Sequence, residues 1–175
     1  VLLASLEGFV RQVIGWREYM RATYVVHGRR LRTGNRLEHA RPLEVGWWTA
    51  ETGLQPVDLV LTRVLERGWA HHIERLMVLG NWALQRGYDP RATAAWFRDS
   101  FVDGYDWVMV PNVYGMTQFA DGGLMTTKPY ISSSNYLLKM GDWNKGPWQE
   151  VWDGLFWRFM HVHRDFFLKN PRLGM

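Results

Sequence analysis

The chain has 175 residues, no cysteine, and 21 Lys and Arg against 17 Asp and Glu, a formal net charge of +4. That length suits one domain with a real core. The missing cysteines exclude disulfides, thiolate nucleophiles, cysteine-ligated zinc and cysteine-ligated iron–sulfur clusters, and the mild positive charge is compatible with a polyanionic partner without requiring one. Eleven tryptophans exceed what packing a core of this size needs, and large planar rings suit flat ligands, stacked bases and electron transfer. No run of about 18 apolar residues and no basic-then-apolar leader is read, so a cytoplasmic protein with no membrane association is expected.

In chain order, residues 2–24 carry Leu2, Leu3, Leu6, Phe9, Val10, Val13, Ile14, Trp16 and Met20 at mostly helical spacing, which predicts an amphipathic helix. Residues 25–52 are basic and dotted with glycine, and read as a surface loop with short helical turns at most. Pro56 suits the first turn of a helix that Gly68 stops. A further helix is expected from Gly68 to about Arg86, and Asp89 with Pro90 marks the N-cap and first turn of another. Residues 103–134 hold Pro111, Gly115, Gly122, Gly123 and Pro129 and read as a long, turn-rich and functional segment. A last amphipathic helix is predicted over 148–168. No segment alternates like a strand, so the predicted class is all-α, a single helical domain over 1–175.

Known motifs narrow the chemistry. His71 and His72 are neighbours, about 100° apart on a helix, and cannot hold one metal from one face. HExxH is absent, His161 and His163 fail for a similar reason, and no metal site is expected. Neither GxGxxG nor GxxxxGK[ST] is present, so a nucleotide would need another scaffold. What remains unexplained is "GWAHHIERLMVLGNWAL" (68–84), where two histidines and an arginine open an apolar run.

Four stretches carry a resemblance. "TGLQPVDLVLTRVLERGWAHHIERLMV", "FVDGYDWVMVPNVYGMTQFADGG", "KPYISSSNYLLKMGDW" and "GWREYMR" resemble the flavin domain of the cryptochrome/photolyase family, most of all its bacterial branch of iron–sulfur cryptochromes and (6-4) photolyases. The resemblance covers essentially the whole chain. It lacks the family's amino-terminal antenna domain and the first part of the flavin domain, and it opens on Val1 inside a helical pattern, so a segment of a longer protein is expected.

The resemblance implies a helical FAD-binding domain and assigns roles by position. Arg75 falls beside the isoalloxazine and Asp103 is its carboxylate partner, a pairing that a buried guanidinium requires. His71 and His72 match the pair that faces the lesion, where an imidazole can move a proton, and Tyr130 belongs to the same pocket. Trp16 matches an aromatic that packs on the flipped-out lesion, with Arg17 beside it, and Tyr105 and Met109 line the flavin. Trp96 and Trp48 match the electron-transfer tryptophans, with Tyr105 and Tyr136 as nearby phenols. Arg17, Arg29, Arg30 and Lys128 would hold a DNA backbone.

The chain also departs from that branch. Pro56, Asn144 and Pro147 stand where the branch has cluster cysteines, and the segment before "GLFWRFM" is shortened, so no iron–sulfur cluster is expected. Met109 replaces the Asn or Glu that faces flavin N5 and has no proton to donate. Phe97 stands where relatives carry a second redox tyrosine. The expected function is light-driven, FAD-dependent repair of pyrimidine dimers in damaged DNA, of the (6-4) type, by a monomer. A blue-light receptor that keeps FAD without repair is the alternative, and a helical module without flavin is the third.

Overall fold

The computed structural model describes residues 2–169; Val1 and residues 170–175, part of the predicted 1–175 domain, lie outside the described residues. Its regular elements are all helical, and the only β pairing among the described residues is an isolated bridge between Arg41 and Tyr88. The fold class is therefore all-α, as the periodicity predicts. Among these residues no helix is long and apolar enough to cross a membrane.

Helix α1 (Leu3–Val10), a π-helical stretch (Arg11–Trp16) and α2 (Arg17–Thr33) follow one another without a break in helical backbone. The helix thus runs to Thr33, into the segment predicted as loop. The reason is a buried stripe, Met20, Thr23, Gly28 and Leu31, that continues through the basic residues. Gly28 is a buried member of that stripe, and the helix runs through it without a break. Arg30 and Arg32 in the last turn suit the negative end of the helix. The apolar face of the first half is not core: α1 buries no residue and Phe9 is 67% exposed. Periodicity identifies the helix but not what covers its face.

Short helix α3 (Gly46–Thr49) delivers Trp47 into the core and leaves Trp48 outside. Helix α4 (Gln55–Arg67) carries Pro56 in its first turn and ends at Gly68, whose φ of 63° is the left-handed conformation that glycine favours. The predicted helix from Gly68 begins later, because Trp69, Ala70 and His71 are not helical. A π-helical stretch (Glu74–Gly80) then leads into α5 (Asn81–Arg86). Helix α6 (Pro90–Ser100) starts where predicted, and the Asp89 carboxylate accepts the Arg91 N–H at 2.7 Å.

The segment 103–134 departs most from the sequence reading. It contains α7 (Asp106–Met109), which continues as a π-helical stretch (Val110–Thr117). Pro111 is accommodated because a wider π turn relieves the clash of its ring with the carbonyl four residues earlier. Gly115 admits a close approach, since a Cβ there would sit 2.3 Å from Met125 Cγ. Helix α8 (Ser134–Met140) was not anticipated. The predicted last helix is two, α9 (Trp148–Val162) and α10 (Arg164–Lys169), parted at His163.

Aromatic rings dominate the core. Trp47 stacks on Trp82 at 4.8 Å and meets Trp96 edge-on at 4.7 Å, with Tyr88 against both Trp47 and Trp82. A smaller cluster holds Leu37, Leu84, Phe119, Phe159 and Phe167. Beside it lies buried His39, its Nε2 3.2 Å from His163 Nε2. Burial first, and then the charges of His163 and Arg158, push His39 down to about 4. The folded protein therefore keeps His39 neutral while the unfolded chain takes up a proton below the ordinary value of 6.5. Stability should fall as pH drops from about 6.5 to about 4, by at most about 1.4 kcal/mol per pH unit. Denaturant midpoints across that window test this; an identical slope in His39→Gln would assign the acid limb to other groups.

Candidate functional site

A cavity of about 510 Å³ opens between the start of the helix after His71, the 103–117 segment and the Trp16–Met20 turn of the first helix. Small residues bring these walls together. At Gly80 a Cβ would meet Thr117 Cβ at 2.8 Å, which lets the two π-helical stretches touch. The Val102 N–H donates to the Gly68 carbonyl at 2.9 Å and pins the end of α6 to the start of the histidine segment. Gly104 turns where a side chain would strike the Arg98 carbonyl at 2.2 Å. The turn holds Asp103 and Tyr105 at the cavity.

Arg75 is the most constrained polar residue of the wall. Its Nε donates to the Ala70 carbonyl at 2.8 Å, and Nη1 donates to both Asp103 oxygens at 2.8 and 3.0 Å. The guanidinium also lies over the Phe101 ring at 4.2 Å. Its side chain is only 15% exposed, against 52% for Asp103. Nη2 has no protein acceptor among the described residues.

His71, His72, Trp16, Arg17, Tyr105 and Met109 line the same cavity, which therefore gathers eight of the eleven predicted site residues. His72 is held below its ordinary proton affinity, first by burial and then by the charges of Arg75 and His71. At neutral pH it is thus an uncharged imidazole beside a guanidinium. Arg17 is oriented by donation from Nη1 to the Gln12 carbonyl at 2.8 Å. Met109 is buried in the wall and contributes a thioether, with no N–H or O–H to offer.

Asn112 is a wall residue that the sequence reading missed. Its Nδ2 donates to the Val108 carbonyl at 2.8 Å, which fixes the amide, while Oδ1 is buried with no partner among the described residues. Its signal lies in spacing, three residues after Met109 on one helical face, and it vanishes when Pro111 is read as a break. Trp69, Trp107 and Met116 also line the cavity.

Three predicted residues lie outside the lining. Tyr130 is partly exposed in the loop before α8 and is not among the residues lining this cavity. Trp96 is buried behind Phe97, which does line the cavity, with ring centroids 5.4 Å apart. Trp48 is 56% exposed, and the ring packed on Trp96 is its neighbour Trp47. Tyr136 is exposed on α8. Arg29 and Arg30 are exposed on α2, and Lys128 is exposed in the loop. Of the positions where the resemblance implies missing cluster cysteines, Pro56 and Pro147 are helix-start residues, and the Asn144 carbonyl accepts the Trp148 indole N–H at 3.0 Å. Among the described residues no three His, Asp or Glu side chains are grouped to hold a metal ion.

No protein-family model matches the chain. It is 42% identical over 182 residues to a (6-4) photolyase of Agrobacterium fabrum, a match that covers 98% of this chain and 36% of that protein. Two uncharacterized proteins of Acanthamoeba polyphaga mimivirus are also similar, one 54% identical over 80 residues and the other 34% over 67. These matches cover 45% and 38% of the chain and 65% and 50% of the viral proteins. The chain thus spans about a third of the photolyase it matches. The identity extends along nearly all of this chain, so the chain is similar throughout to one part of that photolyase.

Proposed function

We propose that this chain is the catalytic part of a helical flavin domain, and that with FAD it repairs UV-induced pyrimidine dimers of the (6-4) type in DNA. One observation carries the reading: Arg75, Asp103, His71 and His72, drawn from two separate motifs, converge on one cavity of about 510 Å³. The wall fits a flat ring with polar edges. Leu76, Val113 and Met116 supply apolar surface, and a buried Asn112 oxygen lacks a partner. FAD, when bound, supplies the light-absorbing ring and the electron for reversing the photoproduct.

The protein's part is binding and orientation. Asp103 holds Arg75 so that its remaining N–H groups face an anionic or carbonyl edge. Neutral His72 beside Arg75 accepts or donates a hydrogen bond without adding positive charge. Trp16 offers a stacking face to a base taken out of the duplex. Arg17, Arg29, Arg30 and Lys128 supply phosphate contacts, so binding should weaken steeply with salt.

A monomeric enzyme acting in the cytoplasm, without an iron–sulfur cluster, completes the reading; no cysteine is present to ligate one. The test is to load the protein with FAD, bind it to duplex carrying a (6-4) photoproduct, and follow lesion reversal under blue light. Repair, with tighter binding to damaged than to undamaged duplex, is the expected result. FAD binding without repair or lesion preference favours a blue-light receptor, a reading motivated by Met109, which has no hydrogen to donate where relatives carry Asn or Glu. Failure to bind FAD would remove both readings and leave a helical module without flavin.

A further inference from the structure

The two histidines are not equivalent. His71 occupies the N-cap position of its helix: its carbonyl accepts the first helical bond from the Arg75 N–H at 3.0 Å. Its ring does what a Ser or Asp side chain usually does there, since Nδ1 accepts the Ile73 N–H at 3.2 Å. Glu74 closes the box from the other side, with Oε2 accepting the His71 backbone N–H at 3.1 Å. Its Oε1 is paired with Arg63. A backbone N–H can only donate, so Nδ1 must present its lone pair and the ring hydrogen of the neutral imidazole sits on Nε2.

We infer that this cap locks His71 as the Nε2–H tautomer, making it a hydrogen-bond donor to the cavity ligand, and that Glu74 is the positioning residue that holds the lock. Among the described residues no protein acceptor takes the Nε2 hydrogen, and no comparable bond orients the His72 ring. His71 lines both the main cavity and an adjoining one of about 340 Å³ walled by Arg63, Glu74 and Trp143. With Nδ1 engaged by the backbone, the ring donates through Nε2 and accepts nothing from the ligand. On the repair reading, on which the identity of the ligand rests, the recognised group is a carbonyl, alkoxide or ring-nitrogen acceptor of the photoproduct. The tautomer itself does not depend on that reading.

The test uses the whole chain without FAD or DNA. Two-bond proton–nitrogen correlation spectra of histidine-labelled protein near neutral pH distinguish a bare from a protonated ring nitrogen, and loss of one signal in His71→Asn assigns His71. The expected wild-type pattern is a bare Nδ1 and a protonated Nε2. Glu74→Gln keeps an acceptor for the His71 N–H and should keep that pattern, whereas Glu74→Ala frays the first turn and should give a mixture of tautomers. A wild-type His71 protonated on Nδ1 overturns the lock, and an unchanged pattern in a folded Glu74→Ala overturns the role of Glu74. Should Glu74→Ala fail to fold, Glu74→Asp, whose side chain is too short to reach the His71 N–H, replaces it and must shift the pattern. Failure of FAD binding or repair would leave these spectra unchanged, so the two readings fail separately.

Discussion

On the proposed flavin reading, Arg75→Ala should weaken FAD binding about 10- to 100-fold, the range expected for losing a charge-assisted hydrogen bond of about 1.5–3 kcal/mol. The substitution removes the donor to the Ala70 carbonyl, both bonds to Asp103 and the contact over Phe101. Ala70 is fully buried and its carbonyl loses a side-chain partner, so the fold itself should lose about 1–3 kcal/mol. Asp103 is half exposed and returns to water, which limits the damage on that side. Arg75→Lys separates charge from geometry. A lysine keeps the charge but has one nitrogen, and cannot reach Ala70 and Asp103 while still facing a ligand. It should therefore restore more stability than FAD affinity. Thermal melts and a fluorescence titration with FAD check both halves, and unchanged affinity in a folded Arg75→Ala would remove the arginine from the flavin site.

Which parts of this architecture can be read from sequence follows from how local each cause is. Asp89 and Pro90 start α6 by cap and φ preference alone, and Gly68 stops α4 by its left-handed conformation; both causes lie within a turn of their effect. Pro111 and Gly115 read as breakers by the same local rules, yet one is absorbed by a widened turn and the other answers to Met125, ten residues away. Local rules therefore miss the helix from Asp106 to Thr117, and with it Asn112. The pairing of Arg75 with Asp103 is legible only through the family resemblance of the two motifs that carry them, with which their opposite charges agree; the two side chains do meet, through bonds from Nη1 to both Asp103 oxygens. Trp47 and Trp48 could not be told apart. They are adjacent in a four-residue helix, and only packing against Trp82 and Trp96 decides which ring turns inward.

On the proposed flavin reading, that distinction bears on the route by which electrons would reach the ring. Flavin photoreduction needs oxidisable aromatics reaching from the cavity to the surface, and the rings here form a contiguous series. Phe97 at the cavity is not itself oxidisable, so the donors begin with Trp96 behind it at 5.4 Å and continue to Trp47 at 4.7 Å, with exposed Trp48 next in the chain. Packing alone does not explain tryptophan at the two inner sites. Among the described residues the indole nitrogens of both Trp47 and Trp96 are buried without a hydrogen-bond partner, a burden of about 1–3 kcal/mol that phenylalanine would not bear. Trp96→Phe should therefore leave stability nearly unchanged, because the cavity left by the smaller ring is offset by removal of an unsatisfied N–H. It should nonetheless slow blue-light reduction of bound FAD by about tenfold or more, equivalent to at least ~1.4 kcal/mol on the barrier. Trp47→Phe should act in the same direction, and Trp48→Phe should too if the exposed ring is the final donor to solvent. Tyr105 is exposed at the rim and must lose a proton on oxidation, so Tyr105→Phe should matter less. The measurement is the decay of oxidised-flavin absorbance under illumination with a thiol reductant, alongside melting curves for each variant. Unchanged rates in Trp96→Phe and Trp47→Phe, with FAD still bound, would return both rings to core packing and leave their unpaired nitrogens as a cost without a function.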